Sequence, residues 1–360
     1  MYYLPMKSTS MYSYLVILGI FLSTIGVFAG GSSQVVPENK PFAIGIFVPG
    51  VVEGSPTYEM MVGGVRKAVE EATASGRPVD YQIFEAGFNQ AEWPSSMTSL
   101  AASGAYDLIV TSNPSMPEIV QAVVGQFPNQ HFLVLDGYLA DNPRVKTIYF
   151  NQYEQAFLAG YLGGLITNPT SGLSGANSSK RLGLLAGQEY PVMNDQIRPG
   201  FSAGASAVDA DIEVDFRVLG NWYDGGKAAD LVRSMIGSGA DVVLTIAGGG
   251  NQGAISAAAE AGTYVIWYDA SGYTYGPGTV IGSTLVLQEQ FAYRATLQGI
   301  QGTLDYGVPE ILGISDGAVG FDFESPEYRT FLPPGVRDSF ELFFEELSTG
   351  QKKFESPNLF

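Results

Sequence analysis

The feature that most constrains this chain is an exchange of short β-branched apolar runs with longer helical patterns, which starts near residue 42 and restarts near residue 151. The run Phe42–Val48 is almost continuously apolar, as a parallel strand covered on both faces requires. Helical spacing follows over Tyr58–Ser75, with Met61, Val65, Ala68 and Val69 on one face and Gly76 as its stop. The pattern predicts further strands at Val79–Phe84, Asp107–Thr111, His131–Leu135 and Lys146–Phe150, with helices at Ala91–Gly104 and Met116–Gly125 between them. A second series opens with a helix at Gln152–Thr167. It continues through strands Leu182–Ala186, Glu213–Leu219, Asp241–Ile246, Tyr264–Trp267 and Val280–Ser283, with helices Asp195–Val208, Asp224–Gly237, Gln252–Ala261 and Gln288–Leu304. A β-rich stretch, Gly317–Phe323, and an amphipathic helix, Gly335–Leu347, close the pattern. Strands and helices at this spacing imply parallel sheets with helices on both faces, and their number exceeds one sheet. The expected fold is therefore α/β, in two doubly wound lobes.

Composition removes several functions. The chain has no Cys, which excludes disulfides, thiol nucleophiles, Cys-ligated zinc and iron–sulfur clusters. Its one His, His131, cannot build a multi-His metal site, and no metal or cofactor is implied. A net charge of −18 argues against nucleic acid as a partner, since that needs a basic footprint. No G-x-S-x-G elbow occurs, and a Ser–His–Asp triad would have to draw on His131 inside a predicted strand. No catalytic residues are assigned, and the chain is not expected to be an enzyme.

Residues 1–29 read as a signal peptide: Lys7, an apolar core from Tyr14 to Phe28, and a small-residue exit at Ala29-Gly30-Gly31. The apolar core is shorter than the roughly 20 residues of a spanning helix, so cleavage and export are expected, with an uncleaved anchor as the alternative. Without Cys the chain cannot be a lipoprotein.

In doubly wound sheets ligands sit beyond the carboxyl ends of the strands, so the residues just after each strand matter most. After the first strand, Pro49–Tyr58 is a turn-rich loop in which Tyr58 either offers a ring to a ligand or packs into the core. Asp136 follows the strand at His131–Leu135 and either accepts from a ligand or holds a turn. In the second lobe Trp222 could stack on a planar ligand or pack half-buried, and Asp224 is placed to cap a helix. Gly248-Gly249-Gly250-Asn251-Gln252-Gly253 lies between a strand and a helix, with Asp269 after the next strand. That is the spacing of a dinucleotide fingerprint, with the acid on ribose hydroxyls. It equally suits a ligand without phosphate, whose vicinal hydroxyls Asp269 accepts while Gly249 and Asn251 offer backbone or amide contacts.

With these residues in place the chain resembles the basic membrane protein family, the periplasmic nucleoside-binding components of ABC importers. The strings carrying the likeness are Phe150-Asn151-Gln152-Tyr153-Glu154-Gln155-Ala156-Phe157-Leu158-Ala159-Gly160-Tyr161-Leu162, Pro199–Ala205, Gly239-Ala240-Asp241, the Ala247–Gly253 loop and Val265-Ile266-Trp267-Tyr268-Asp269. The resemblance implies a type I periplasmic binding protein, two Rossmann-like lobes joined by a hinge. It implies lobes built from 41–150 plus 279–306 and from 151–278 plus 307–348. It also implies a nucleoside held between them by Tyr58, Asp136, Trp222 and Asp269, to which the reading of the glycine loop adds Gly249 and Asn251. The partners implied are that ligand and a membrane permease, and a monomer is expected. The family's D-x-S-F-N loop is matched only by Ser55-Pro56-Thr57-Tyr58, and Val286 stands where the family has Lys after Ser283. A sugar-binding or sensory receptor of the same fold, and an exported α/β enzyme or nicotinamide-dependent oxidoreductase, are the alternatives.

Overall fold

A computed structural model describes residues 40–353. The signal-peptide expectation for residues 1–29 lies outside them. The chain begins with β1 (Phe42–Val48), α1 (Pro56–Ala74), β2 (Val79–Glu85), α2 (Trp93–Ala102), β3 (Leu108–Ser112), α3 (Met116–Gln126), β4 (His131–Leu135) and β5 (Val145–Phe150). It continues with α4 (Gln152–Thr167), β6 (Arg181–Ala186), α5 (Arg198–Val208), β7 (Glu213–Val218), α6 (Gly225–Gly237), β8 (Ala240–Ile246), α7 (Asn251–Ala261), β9 (Tyr264–Trp267) and β10 (Val280–Val286). It then runs through α8 (Gln288–Gln301), β11 (Glu310–Leu312), β12 (Val319–Phe321), α9 (Pro326–Phe331) and α10 (Pro334–Ser348).

Two six-stranded sheets result, in the orders β11-β5-β4-β3-β1-β2 and β12-β10-β9-β8-β6-β7. All pairings are parallel except β10 with β12. The central strands are buried on both faces, as their apolar runs require: every residue of β3 and β5 is buried. The edge strands β2 and β7 are the polar ones, with Asp80 and Glu85 on one and Glu213, Asp215 and Arg217 on the other, which blunts open edges against further pairing. Helix ends follow their residues. Asn151 caps α4 through the Glu154 amide, Asp224 caps α6 through the Lys227 amide, and Gly262 and Gly302 close α7 and α8 with φ of 67° and 75°.

The expected lobe boundaries differ from those observed. Within 279–306, β10 pairs with β9 in the second sheet, and only α8 returns to the first lobe, packing on α1 and β4. Within 307–348, β11 pairs with β5 in the first sheet, while β12 joins β10 in the second. The apolar pattern of a strand specifies that it is buried, not which sheet buries it. The chain therefore crosses between lobes at β5–α4, at β10–α8 and at β11–β12. The helix expected from Asp195 begins instead with a π-helical turn at Met193–Ile197 that leads into α5.

Candidate functional site

The cleft lies at the carboxyl ends of both sheets, and the first turn of α4 stands in it. Asp136 follows β4 directly and Asp269 lies two residues beyond β9. Both hold left-handed backbone, with φ of 52° and 71°, a conformation that costs a non-glycine residue on the order of 1 kcal/mol and is retained where the surroundings hold it. Two glutamines one turn apart on α4 hold the carboxylates. Gln152 Nε2 donates to Asp136 Oδ1 at 2.7 Å, and Gln155 Nε2 donates to Asp269 Oδ1 at 3.1 Å and to Thr284 Oγ1 at 3.2 Å. Asp136 and Asp269, one from each lobe, are thus brought to the same face of one helix end.

Among the described residues neither carboxylate has an ion-pair partner. Burial pushes the Asp136 carboxyl well above the usual range, the charge of Asp269 adds to this, and the Gln152 bond opposes it. Asp269 is pushed up to about 6 by burial, against the pull of Gln155. Two carboxyls without a cation can accept from a donor-rich neutral ligand, and the burial that raises them also strengthens each bond they make.

Aromatic rings surround the pair. Tyr58 Oη donates to the Pro49 carbonyl at 2.9 Å and accepts from Asn113 Nδ2 at 3.2 Å; burial raises its hydroxyl to about 12. Its ring lies against Gly50, where a Cβ would come within 2.9 Å of Cε2 at a φ of 152° that only glycine adopts readily. Trp222 is half-buried and lies flat on Gly187 at the end of β6, where a Cβ would come within 2.7 Å of Cζ3. Tyr190 stands 6.3 Å from Trp222 between ring centres, and burial, then the charges of Asp269 and Asp136, raise its hydroxyl. Tyr149 bonds Gln196, and Tyr268 Oη donates to the Gln152 carbonyl at 3.2 Å. A cavity of about 330 Å³ opens beside Asp136, lined from the first lobe by Pro117, Tyr138 and Tyr149 and from the second by Pro191 and Val192.

The remaining candidates serve the loop they sit in. The Gly249 amide donates to the Trp222 carbonyl at 2.8 Å. Asn251 is buried, and its Oδ1 accepts from Thr245 Oγ1 at 2.6 Å and the Ala247 amide at 2.8 Å. Asn251→Ala is accordingly expected to lower stability by about 2 kcal/mol, two buried hydrogen bonds, in a denaturant melt. The glycine spacing has a packing cause as well. A Cβ on Gly253 would strike the Gly225 carbonyl group of α6, and one on Gly250 would lie 2.6 Å from Leu219 Cδ2. His131 opens β4 half-buried, with Nε2 3.0 Å from Arg144 Nη1 and its ring 4.6 Å from that of Tyr306. No group of three or more His, Asp or Glu among the described residues is arranged to hold a metal ion.

Strand-end inspection missed Gln152, Gln155, Asn113 and Tyr190. The signal was available for the glutamines: α4 is buried on nearly every side, so a polar residue in it must find a partner inside.

The profile of the family described as ABC transporter substrate-binding protein PnrA-like matches residues 42–333. The chain belongs to that family. Among its relatives, "ABC transporter nucleoside-binding protein BmpA" of Lactococcus lactis subsp. cremoris is 26% identical over 246 residues, just under two thirds (66%) of each chain. "Basic membrane protein A" of Borreliella burgdorferi is 24% identical over 351 residues, 91% of this chain and 96% of that one. An ABC transporter solute-binding protein of Aeropyrum pernix K1 has the same fold, with a TM-score of 0.73, 22% identity and coverage of 88% of this chain and 94% of that one. The two-lobed arrangement of this PnrA-like protein is thus the type I periplasmic binding fold, and its family is the substrate-binding component of ABC transporters.

Proposed function

We propose that this protein captures a nucleoside between its lobes and delivers it to the membrane permease of an ABC importer, with no bond made or broken. The observation that carries the reading is the pair Asp136 and Asp269, one at a strand end of each lobe, both held by amides of one helix turn and both without a cation. A carboxylate with two oxygens suits the vicinal hydroxyls of a ribose, the role given to Asp269, and Asp136 meets the base. Tyr58 and Trp222 supply the rings that flank a planar base. Gly249 and Asn251 shape the wall beside Trp222. The nucleoside-binding name of the lactococcal relative supports the ligand class. The net charge of −18 disfavours phosphorylated ligands. In this reading the protein acts outside the cytoplasmic membrane and as a monomer.

The test is mass spectrometry of small molecules released on denaturing the purified protein, followed by calorimetry with adenosine, guanosine, inosine, cytidine and uridine. A released nucleoside with saturable binding is expected. Binding of a free pentose or hexose with no response to any nucleoside would overturn the reading, and a released nicotinamide dinucleotide would replace it with a cofactor site. Affinity also carries a pH signature. The ribose hydroxyls donate to ionised Asp269, whose carboxyl is pushed up to about 6, so the Asp269 contribution to affinity, read against Asp269→Asn, is expected to be flat above pH 7 and to fall about tenfold per unit well below 6. Affinity unchanged down to pH 4.5 would remove an ionised Asp269 from the contact.

A further inference from the structure

The first turn of α4 touches more than the two carboxylates. Glu154 lies between Gln152 and Gln155 and points the other way, toward the third crossing between the lobes. Its Oε2 accepts from the Ile314 amide at 2.7 Å, just beyond the end of β11. The crossing from β11 to β12 is a closed turn in which Asp316 Oδ2 accepts from the Gly313 amide at 2.9 Å, the Gly317 amide donates to the Ile314 carbonyl at 3.0 Å and the Ala318 amide donates to the Gly313 carbonyl at 3.0 Å. Backbone bonds tie it to both other crossings: the Asn151 amide to the Leu312 carbonyl at 2.8 Å and the Leu287 amide to the Ala318 carbonyl at 2.9 Å. Those bonds sit at the ends of the turn, whereas the Glu154 bond reaches its interior.

Gly313 supplies an independent observation. Its backbone needs no glycine, since its φ is outside the left-handed region, yet the nearest atoms to a Cβ there are all of the Glu154 carboxylate, with Cδ at 2.8 Å and Oε1 at 3.0 Å. The position is open because the carboxylate fills it. Burial pushes the Glu154 carboxyl up, so keeping a carboxylate here is costly unless its bonds are needed.

We infer that Glu154 is a positioning residue for ligand capture: by bonding the Ile314 amide beside Gly313 it latches the hinge in the arrangement that brings Asp136 and Asp269 together at the first turn of α4. The same helix turn thus carries both ligand carboxylates through Gln152 and Gln155 and the hinge through Glu154. A charge-assisted bond to a backbone amide, lost, favours arrangements in which the third crossing turns away, and the ligand must then recover that free energy on binding. The inference rests on the reading of this cleft as the ligand site, but its test does not depend on which ligand binds.

Because the chain has no Cys, spin labels can be placed uniquely at exposed Ser99 on α2 and Ser256 on α7, one on each lobe, as Ser99→Cys and Ser256→Cys. Interlobe distances are measured by pulsed electron resonance with and without excess adenosine. Glu154→Ala and Gly313→Ala are each expected to move the ligand-free distribution to longer distances and to weaken adenosine binding about tenfold. Glu154→Gln keeps an acceptor and should stay close to the parent. In Glu154→Ala/Gly313→Ala the clash has no carboxylate to act on, so the double variant should match Glu154→Ala alone. Unchanged distances in both single variants, or a Gly313→Ala effect that adds in full to Glu154→Ala, would overturn the latch. If the ligand-free shifts occur but adenosine and the other nucleosides leave the parent distribution unmoved, the latch stands and the nucleoside reading fails.

Discussion

Asp269→Asn is expected to weaken nucleoside binding by more than about a hundredfold while making the ligand-free protein more resistant to heat at neutral pH. The binding loss follows from two charge-assisted hydrogen bonds, each worth about 1.5–3 kcal/mol, that a neutral amide cannot replace as an acceptor pair. The stability gain follows from the carboxyl's environment. Its native value is raised to about 6 from the ordinary carboxylate range near 4, so between those values the folded protein holds a proton that the unfolded chain releases. Its stabilising contribution is complete below about pH 4, falls as pH rises towards 6, and is absent above. Asparagine has no such dependence. The melting temperature of Asp269→Asn should therefore exceed that of the parent by an amount that grows between pH 4 and 6 and then levels off. Asp136, raised well above the usual range, should show the same difference in Asp136→Asn, extended to higher pH. Calorimetric titration and melts across that range check both halves. Parent-like affinity would remove Asp269 from the site, and a melting difference independent of pH would refute the buried-acid account. Both outcomes together would mark the two carboxyls as a place where ligand recognition is retained at the expense of fold stability.

Much of this arrangement is legible in the residues, for identifiable reasons. Phe42–Val48 coincides with β1 because a strand covered on both faces has no polar alternation to disguise it. Asp136 and Asp269 are found by looking just past the strands, since carboxyl ends converge on the cleft. Gln152 and Gln155 escape that inspection because periodicity marks α4 by its apolar residues, and a buried amide interrupts the pattern without announcing its partner. The allocation of β10 and β11 to opposite sheets is not local information, and three-residue β11 is too short to register by pattern. The Gly248–Gly253 loop shows the reverse problem. One spacing serves a phosphate cradle or a close approach of helices, and what lies over each glycine decides; here Gly225 of α6 and Leu219 lie over Gly253 and Gly250. The string Pro199–Ala205 is likewise readable as a family mark long before its cause is visible. That cause is a backbone contact.

Gly204→Val is expected to cost at least about 3 kcal/mol and to abolish ligand binding, although Gly204 touches no ligand. α4 and α5 pack within backbone contact through a stripe of glycines on both helices. A Cβ on Gly204 would strike the Phe157 carbonyl and lie 2.7 Å from the Tyr161 amide nitrogen, and one on Gly200 would lie 2.5 Å from the Tyr153 carbonyl oxygen. From the other side, a Cβ on Gly160 would strike the Phe201 carbonyl, and one on Gly164 would lie 2.9 Å from Val208 Cβ. At Gly160, Gly200 and Gly204 the atoms met are backbone, which has no rotamer to change, so relief requires the helices to separate. Side-chain movement cannot supply it. Separation moves the first turn of α4, and with it Gln152, Glu154 and Gln155, away from Asp136, Ile314 and Asp269 together. Gly125→Ala is the matched control, since a Cβ there meets nothing within 4 Å and the substitution sits near the end of α3. Equilibrium denaturation of the two variants with nucleoside titration of whatever remains folded gives the result. A Gly204→Val protein that melts like the parent would show that the helices have room, and that the glycines are not what sets the height of α4 over the site.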